Sequence, residues 1–110
     1  ILDPGGFILM AEIDSEVIGT FAYIKKGDHL YEFSKMAINP NQRGKGYGNI
    51  MMKYAISFAK KHKWKKIILY SNTILKNSIH LYRKYGFIEV KMEEPVIYSR
   101  GNIKMELDLV

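Results

Sequence analysis

Between residues 43 and 48 the chain reads Arg43-Gly44-Lys45-Gly46-Tyr47-Gly48. Glycine at alternate positions leaves the backbone bare, and an amphipathic stretch, residues 46–62, follows directly. The first turn of a helix carries N–H groups with no partner inside the helix, and the helix dipole adds positive character there. Bare backbone in front of such a turn suits a pyrophosphate. Arg43 and Lys45 point the same way, because cations are disfavoured at a helix start unless an anion is close. A tight turn without a ligand would use the same glycines. Binding of a phosphorylated carrier is therefore the first chemical expectation.

Glu32 is the best acid–base residue in the sequence. It sits among Leu30, Tyr31 and Phe33, and its alternation along a strand groups it with Ser34, Met36 and Ile38. A carboxylate in apolar surroundings becomes a stronger base, which suits proton removal from an ammonium near neutral pH. An outward-facing strand glutamate in a salt bridge would look the same at this level. The chain has no cysteine, which excludes disulfides, thiolate metal sites and a thiol nucleophile. That absence fits a reducing compartment and a cytoplasmic location. The three histidines, His29, His62 and His80, show no metal-ligand spacing, so no metal is expected.

These groups need a scaffold, and the 110 residues suffice for one domain. No apolar run approaches the ~20 residues of a membrane-spanning helix. Residues 7–13, 17–24 and 30–38 read as strands joined by short turns, hence an antiparallel meander. Asn39-Pro40-Asn41-Gln42 breaks the chain. In the helix that follows, Tyr47, Ile50, Met51, Tyr54, Ala55, Phe58 and Ala59 form one apolar stripe, with Asn49, Lys53, Ser57 and Lys60 facing out. Residues 67–70 are wholly apolar and read as a buried strand, parallel to the third through the crossover helix. A second helix is expected over residues 75–85, ended by Gly86. Two last strands are expected over 87–92 and 103–109. The latter alternates Ile103, Met105, Leu107 and Leu109 with Lys104, Glu106 and Asp108, so one face should be solvated. The first residue is Ile1, and residues 1–6 read as a linker, so a piece of a longer chain is expected. The net charge is +6, much of it in Lys60-Lys61-His62-Lys63-Trp64-Lys65-Lys66. That run suits a solvated helix end, and nucleic-acid binding is the lesser reading, since no aromatic stacking platform accompanies it.

The order of elements, Arg43-x-x-Gly46-x-Gly48, and Leu81-Tyr82-Arg83-Lys84-Tyr85-Gly86-Phe87 together resemble the GCN5-related N-acetyltransferase (GNAT) superfamily. The resemblance covers roughly residues 7–109. It implies a mixed α/β (α+β) fold: a mostly antiparallel sheet with a central parallel strand pair and flanking helices. It implies a single domain over residues 1–110, truncated at the N-terminus, since the family's usual first strand and two helices would lie upstream. The implied activity is transfer of acetyl from acetyl-CoA, a co-substrate, to a primary amine. Without cysteine, direct attack in a ternary complex is preferred to an acetyl-enzyme. By the same resemblance, Arg43, Gly44, Lys45, Gly46, Tyr47 and Gly48 cradle the pyrophosphate. Met36, Ala37 and Ile38 offer backbone to the pantetheine arm. Asn77 lies near the position where the family places a cofactor-binding asparagine, and Leu75 occupies that position itself. Glu32 matches a general base, and Tyr82 matches the tyrosine that contacts the cofactor and protonates the departing thiolate. Tyr82 would also serve as core packing. The implied partners are acetyl-CoA and an amine, with no membrane and with a homodimer allowed. A non-catalytic acyl-CoA-binding or sensor domain of the same fold is the alternative.

Overall fold

The computed structural model describes residues 6–39, 46–92 and 101–110. Strands β1 (Phe7–Ile13), β2 (Glu16–Gly27) and β3 (Leu30–Ile38) form the meander. Helix α1 (Tyr47–Lys61) leads to β4 (Lys66–Ser71), and α2 (Lys76–Lys84) leads to β5 (Ile88–Val90) and β6 (Ile103–Asp108). The six strands make one sheet in the order β1-β2-β3-β4-β6-β5, with β3 and β4 parallel and the other pairs antiparallel. The expected fold class is thus observed.

The first hairpin follows from local chemistry. Asp14 and Ser15 both take positive φ, 53° and 66°, between paired Ile13 and Glu16. That is the geometry of a two-residue hairpin turn. β2 extends beyond its expected end, because pairing continues through Lys25↔Tyr31 and Gly27↔Leu30.

One face of the sheet carries both helices. Across it run Phe7–Tyr23–Phe33 and Tyr31–Ile67–Leu107, with Leu69–Met105 beside them. These residues pack with Met51, Met52, Ala55 and Ala59 of α1 and with Tyr82 and Phe87 in a single core. The stripe on α1 is rotated from the expected one: Met52 is buried, whereas Ile50 and Tyr54 are exposed. Small Ala55 and Ala59 let the helix lie close to Tyr23, whose hydroxyl donates to the Ala55 carbonyl at 2.8 Å. The basic run divides. Lys60 and Lys61 close α1, while Trp64 turns into the core and stacks on Tyr31 with ring centroids 3.6 Å apart.

The opposite face carries no helix among the described residues. It holds Ile8, Met10, Ala22, Ile24, Glu32, Ser34, Ile68, Tyr70 and the second row of β6. Here the expected solvation of Lys104 fails, because that residue is 7% exposed. It lies on the inner strand β6, paired with Tyr70 of β4 on one side and Val90 of β5 on the other.

Burial pushes the Tyr23 hydroxyl well above the ordinary tyrosine value. The folded chain therefore keeps a proton that the unfolded chain releases near pH ~10, and stability falls as pH rises beyond that point. Tyr23→Phe should cost about 0.5–1.5 kcal/mol at neutral pH by removing the bond to Ala55. It should also flatten the decline between pH ~9.5 and ~11. Urea unfolding across this range checks both, and an unchanged alkaline slope would show that Tyr23 ionises freely when folded.

Candidate functional site

A fork in the sheet sets the geometry. β3 and β4 pair at Leu30↔Lys66, Tyr31↔Ile67 and Glu32↔Ile68, and no further pair joins them among the described residues. Beyond that point β3 runs on to Ile38 and β4 to Ser71. The divergence has a local cause. Opposite β2, Thr20 faces Ala37 while Ala22 faces Ser34, so β3 spends one residue more than β2 around Lys35 and Met36. Such a bulge bends its strand and raises its twist. The far end of β3 is then held by β2, through Asn39 N–H to the Ile18 carbonyl at 2.8 Å.

The bulge also corrects a sequence expectation. Glu32 and Ser34 lie on the helix-free face, but Ile38 pairs with Gly19 and packs with the helix-side core. Ile38 therefore does not share a face with Glu32, because one inserted residue reverses strand parity. Met36, Ala37 and Ile38 all belong to the arm of β3 that β4 leaves unpaired.

Helix α1 is the next element after β3 in the chain. Arg43, Gly44 and Lys45 fall outside the described residues. Gly46 is the N-cap, with φ 76° and no side-chain cap, and the first turn holds no acid. No described atom lies within 4 Å of a Cβ built on Gly46. The positive φ needs glycine, and the space beside it is open. Gly48 also meets a packing constraint: a Cβ there would stand 3.3 Å from Leu81 Cδ2 on α2. Tyr47, between them, is half-buried against the core.

Two residues that sequence reasoning passed over bring α1 to this place. A Cβ on Gly19 would collide with the Ala37 carbonyl and lie 2.7 Å from Met51 Sδ, so its absence lets α1 lie against the β2–β3 edge. Asn49, expected to face out, ties the two helices together. Its Oδ1 accepts from Lys84 Nζ at 2.8 Å and lies 3.0 Å from the Tyr85 hydroxyl. The only hint in the sequence for Gly19 was a glycine inside an otherwise β-branched and aromatic strand.

The second motif explains itself in α2. Gly86, φ 98°, follows the C-cap Tyr85; its N–H bonds the Arg83 carbonyl, and the Phe87 N–H bonds the Tyr82 carbonyl, both at 3.0 Å. This is a Schellman closure, and its usual apolar contact is the packing of Phe87 on Tyr82, with ring centroids 5.9 Å apart. The Tyr-x-x-x-Gly-Phe spacing thus fixes the Tyr82 ring. Tyr82 is 9% exposed, its hydroxyl has no hydrogen-bond partner among the described residues, and burial raises its pKa. The phenol keeps its proton and is available as a donor.

Glu32 occupies the last rung of the β3–β4 ladder, between Ile24 and Ile68, and is 6% exposed. Lys26 Nζ lies 3.4 Å from its Oε1. Glu32 and Tyr82 are on opposite faces of the sheet, Tyr82 within the helix-side core. Asn77 is exposed in the first turn of α2, lining a cleft of about 300 Å³ with Ile74, Leu75, Lys76 and Ser78. Among the described residues no group of three or more acidic, histidine or cysteine side chains could hold a metal ion.

Residues 1–87 match the Acetyltransferase (GNAT) family, and the chain belongs to that family. N-acetylaspartate synthetase of Xenopus tropicalis is 29% identical over 93 residues, which cover 83% of this chain and 34% of that protein. The chain thus spans about a third of the length of that relative. Among solved structures, a GNAT family acetyltransferase from Elizabethkingia anophelis with acetyl-CoA bound superposes with a TM-score of 0.79 at 20% identity, over 96% of this chain and 77% of that one. A spermidine N-acetyltransferase chimera from Vibrio cholerae superposes at 0.82, with 23% identity, over 97% of this chain and 69% of that one.

Gly46→Val should weaken CoA binding at least tenfold, since a β-branched residue strains the positive φ and fills the open space. Calorimetry with CoA and circular dichroism check it together. Unchanged affinity with an intact helical signal would remove Gly46 from the site.

Proposed function

We propose that the chain transfers acetyl from acetyl-CoA to a primary amine by direct attack in a ternary complex. The observation that carries this reading is the fork: an unpaired arm of β3 beside an uncapped helix start, with a buried carboxylate at its root. The N–H groups at the start of α1, with Arg43 and Lys45 nearby in sequence, bind the pyrophosphate. Backbone of Met36, Ala37 and Ile38 pairs with the pantetheine amides as a neighbouring strand would. Acetyl-CoA supplies the activated acyl group. Glu32 takes the proton from the attacking amine, and Tyr82, from the other face, gives its proton to the departing sulfur. Asn77 contributes a polar contact at the edge of α2. Metal plays no part in this scheme, and acetyl-CoA fits a cytoplasmic location. The names of the relatives span spermidine and N-acetylaspartate, so a primary amine is the acceptor class they support together.

The direct test is release of CoA thiol from acetyl-CoA by the full chain across a panel of amines. Two variants then separate the roles. Glu32→Gln should keep CoA affinity, lose rate at neutral pH, and recover part of it as pH rises and more amine is already free. A wild-type pH profile in that variant would assign the base elsewhere. Tyr82→Phe should lower kcat by ~10²–10⁴-fold with little change in the KM for acetyl-CoA, because only the phenolic proton is lost. Normal turnover would make Tyr82 a packing residue. CoA binding without turnover on any amine would favour an acyl-CoA-binding domain instead.

A further inference from the structure

The fork has two arms, and an asparagine ties the tip of each to the strand behind it. At the tip of β3, Asn39 donates its N–H to the Ile18 carbonyl at 2.8 Å and its side-chain amide to the Val17 carbonyl at 3.3 Å. The other arm is β4 from Leu69 to Ser71, backed by β6 through Leu69↔Met105, Tyr70↔Lys104 and Ser71↔Ile103. The tie continues past the strand. The Asn102 N–H donates to the Ser71 carbonyl at 2.9 Å. Asn102 Oδ1 then accepts the Thr73 N–H at 2.9 Å, and its Nδ2 donates to Thr73 Oγ1 at 3.1 Å. Gly101 makes room for this approach: its φ is 129°, and a Cβ there would collide with the Ser71 carbonyl.

Residues 72–75 carry the chain from this arm into α2. Within the turn, Asn72 Oδ1 accepts the Ile74 N–H at 3.1 Å, and the Asn72 carbonyl accepts the Leu75 N–H at 2.9 Å. Those bonds shape the turn without fixing it to the sheet. The start of α2 brings little more: its N-cap is Leu75, with no side-chain cap and no acid in the first turn. Ile74 and Leu75 are 78% and 51% exposed, so apolar packing holds the turn weakly. The Asn102 side chain, reaching from β6 to Thr73, does fix it. The far end of α2 is secured separately, by Tyr85 on Asn49 and by Phe87 on Tyr82. A loosened turn would therefore disturb the β4 arm and the near end of α2 and leave the Tyr82 ring where it is.

We propose that Asn102 is a positioning residue: by holding the 72–75 turn to β6, it keeps the β4 arm of the fork in the form that acetyl-CoA enters. This rests on the reading that acetyl-CoA occupies the fork. A turn ordered in advance spares the ligand the ordering entropy. When only a fraction of chains is competent, the apparent dissociation constant rises by the inverse of that fraction. No bond forms or breaks at Asn102, and its part is to set where the turn lies.

Asn102→Ala in the full chain removes both contacts to Thr73 and keeps the backbone bond to Ser71. Without ligand, amide exchange at residues 73 and 74 should quicken ~10-fold or more, and saturating CoA should slow it again. Calorimetry should show CoA bound ~5–20-fold more weakly, the effect of two lost hydrogen bonds at an exposed turn. At saturating acetyl-CoA, kcat should stay within about twofold. Asn102→Asp keeps an oxygen for the Thr73 N–H and for its hydroxyl, and should bind CoA within about threefold of wild type. Thr73→Val removes one contact from the other side. It should weaken binding in the same direction, and the double variant should lose no more than Asn102→Ala alone. Wild-type affinity in Asn102→Ala, whether or not the turn exchanges faster, would overturn the proposal. So would a loss confined to kcat, or faster exchange spread evenly over the whole sheet. If wild type itself binds no CoA, the acetyl-CoA reading fails and this role fails with it; wild-type binding with an indifferent Asn102→Ala overturns this role alone.

Discussion

The end of the β3–β4 ladder at Glu32↔Ile68 is the constraint on which the rest of the site depends. A parallel pair that continued to Ile38 would satisfy its own backbone and leave no groups for a ligand. One additional residue in β3, together with the anchoring of Asn39 to β2, turns the arm away from β4. Unpaired strand edges are ordinarily a hazard. Here the edge lies inside the sheet, between two strands, where only something slender can reach it.

The helices are fitted to that opening by small, specific contacts rather than by bulk. Gly19 lets Met51 approach the meander, Gly48 lets Leu81 approach α1, and Asn49 joins the first turn of α1 to the last turn of α2. The Schellman closure at Gly86 places Phe87 on the Tyr82 ring. The outcome is a phenol held in the helix-side core and a buried carboxylate on the opposite face of the sheet.

Much of this was legible in the sequence. The order of elements, the parallel pair and the glycine that ends α2 followed from periodicity and turn chemistry, and the family from its two motifs. What escaped depends on distances between elements. The bulge at Lys35–Met36 has no local signature, so strand alternation puts Ile38 on the wrong face. The apolar stripe read from periodicity omits Met52, because a helix can turn by one position without spoiling its 3.6-residue pattern. Alternation makes Lys104 a solvated residue, because it says nothing of what flanks an inner strand. Gly19 and Asn49 looked ordinary because their partners, Met51 and Tyr85, are distant in sequence.

The central claim is that acetyl-CoA occupies the fork, with its pyrophosphate at the start of α1. Hydrogen–deuterium exchange on the full chain with and without acetyl-CoA tests it most directly. The account predicts slowed exchange in residues 33–38 and at the first turn of α1, with β5 and the edge of β6 it pairs with little changed. Saturating acetyl-CoA that left the arm of β3 exchanging as before would contradict it.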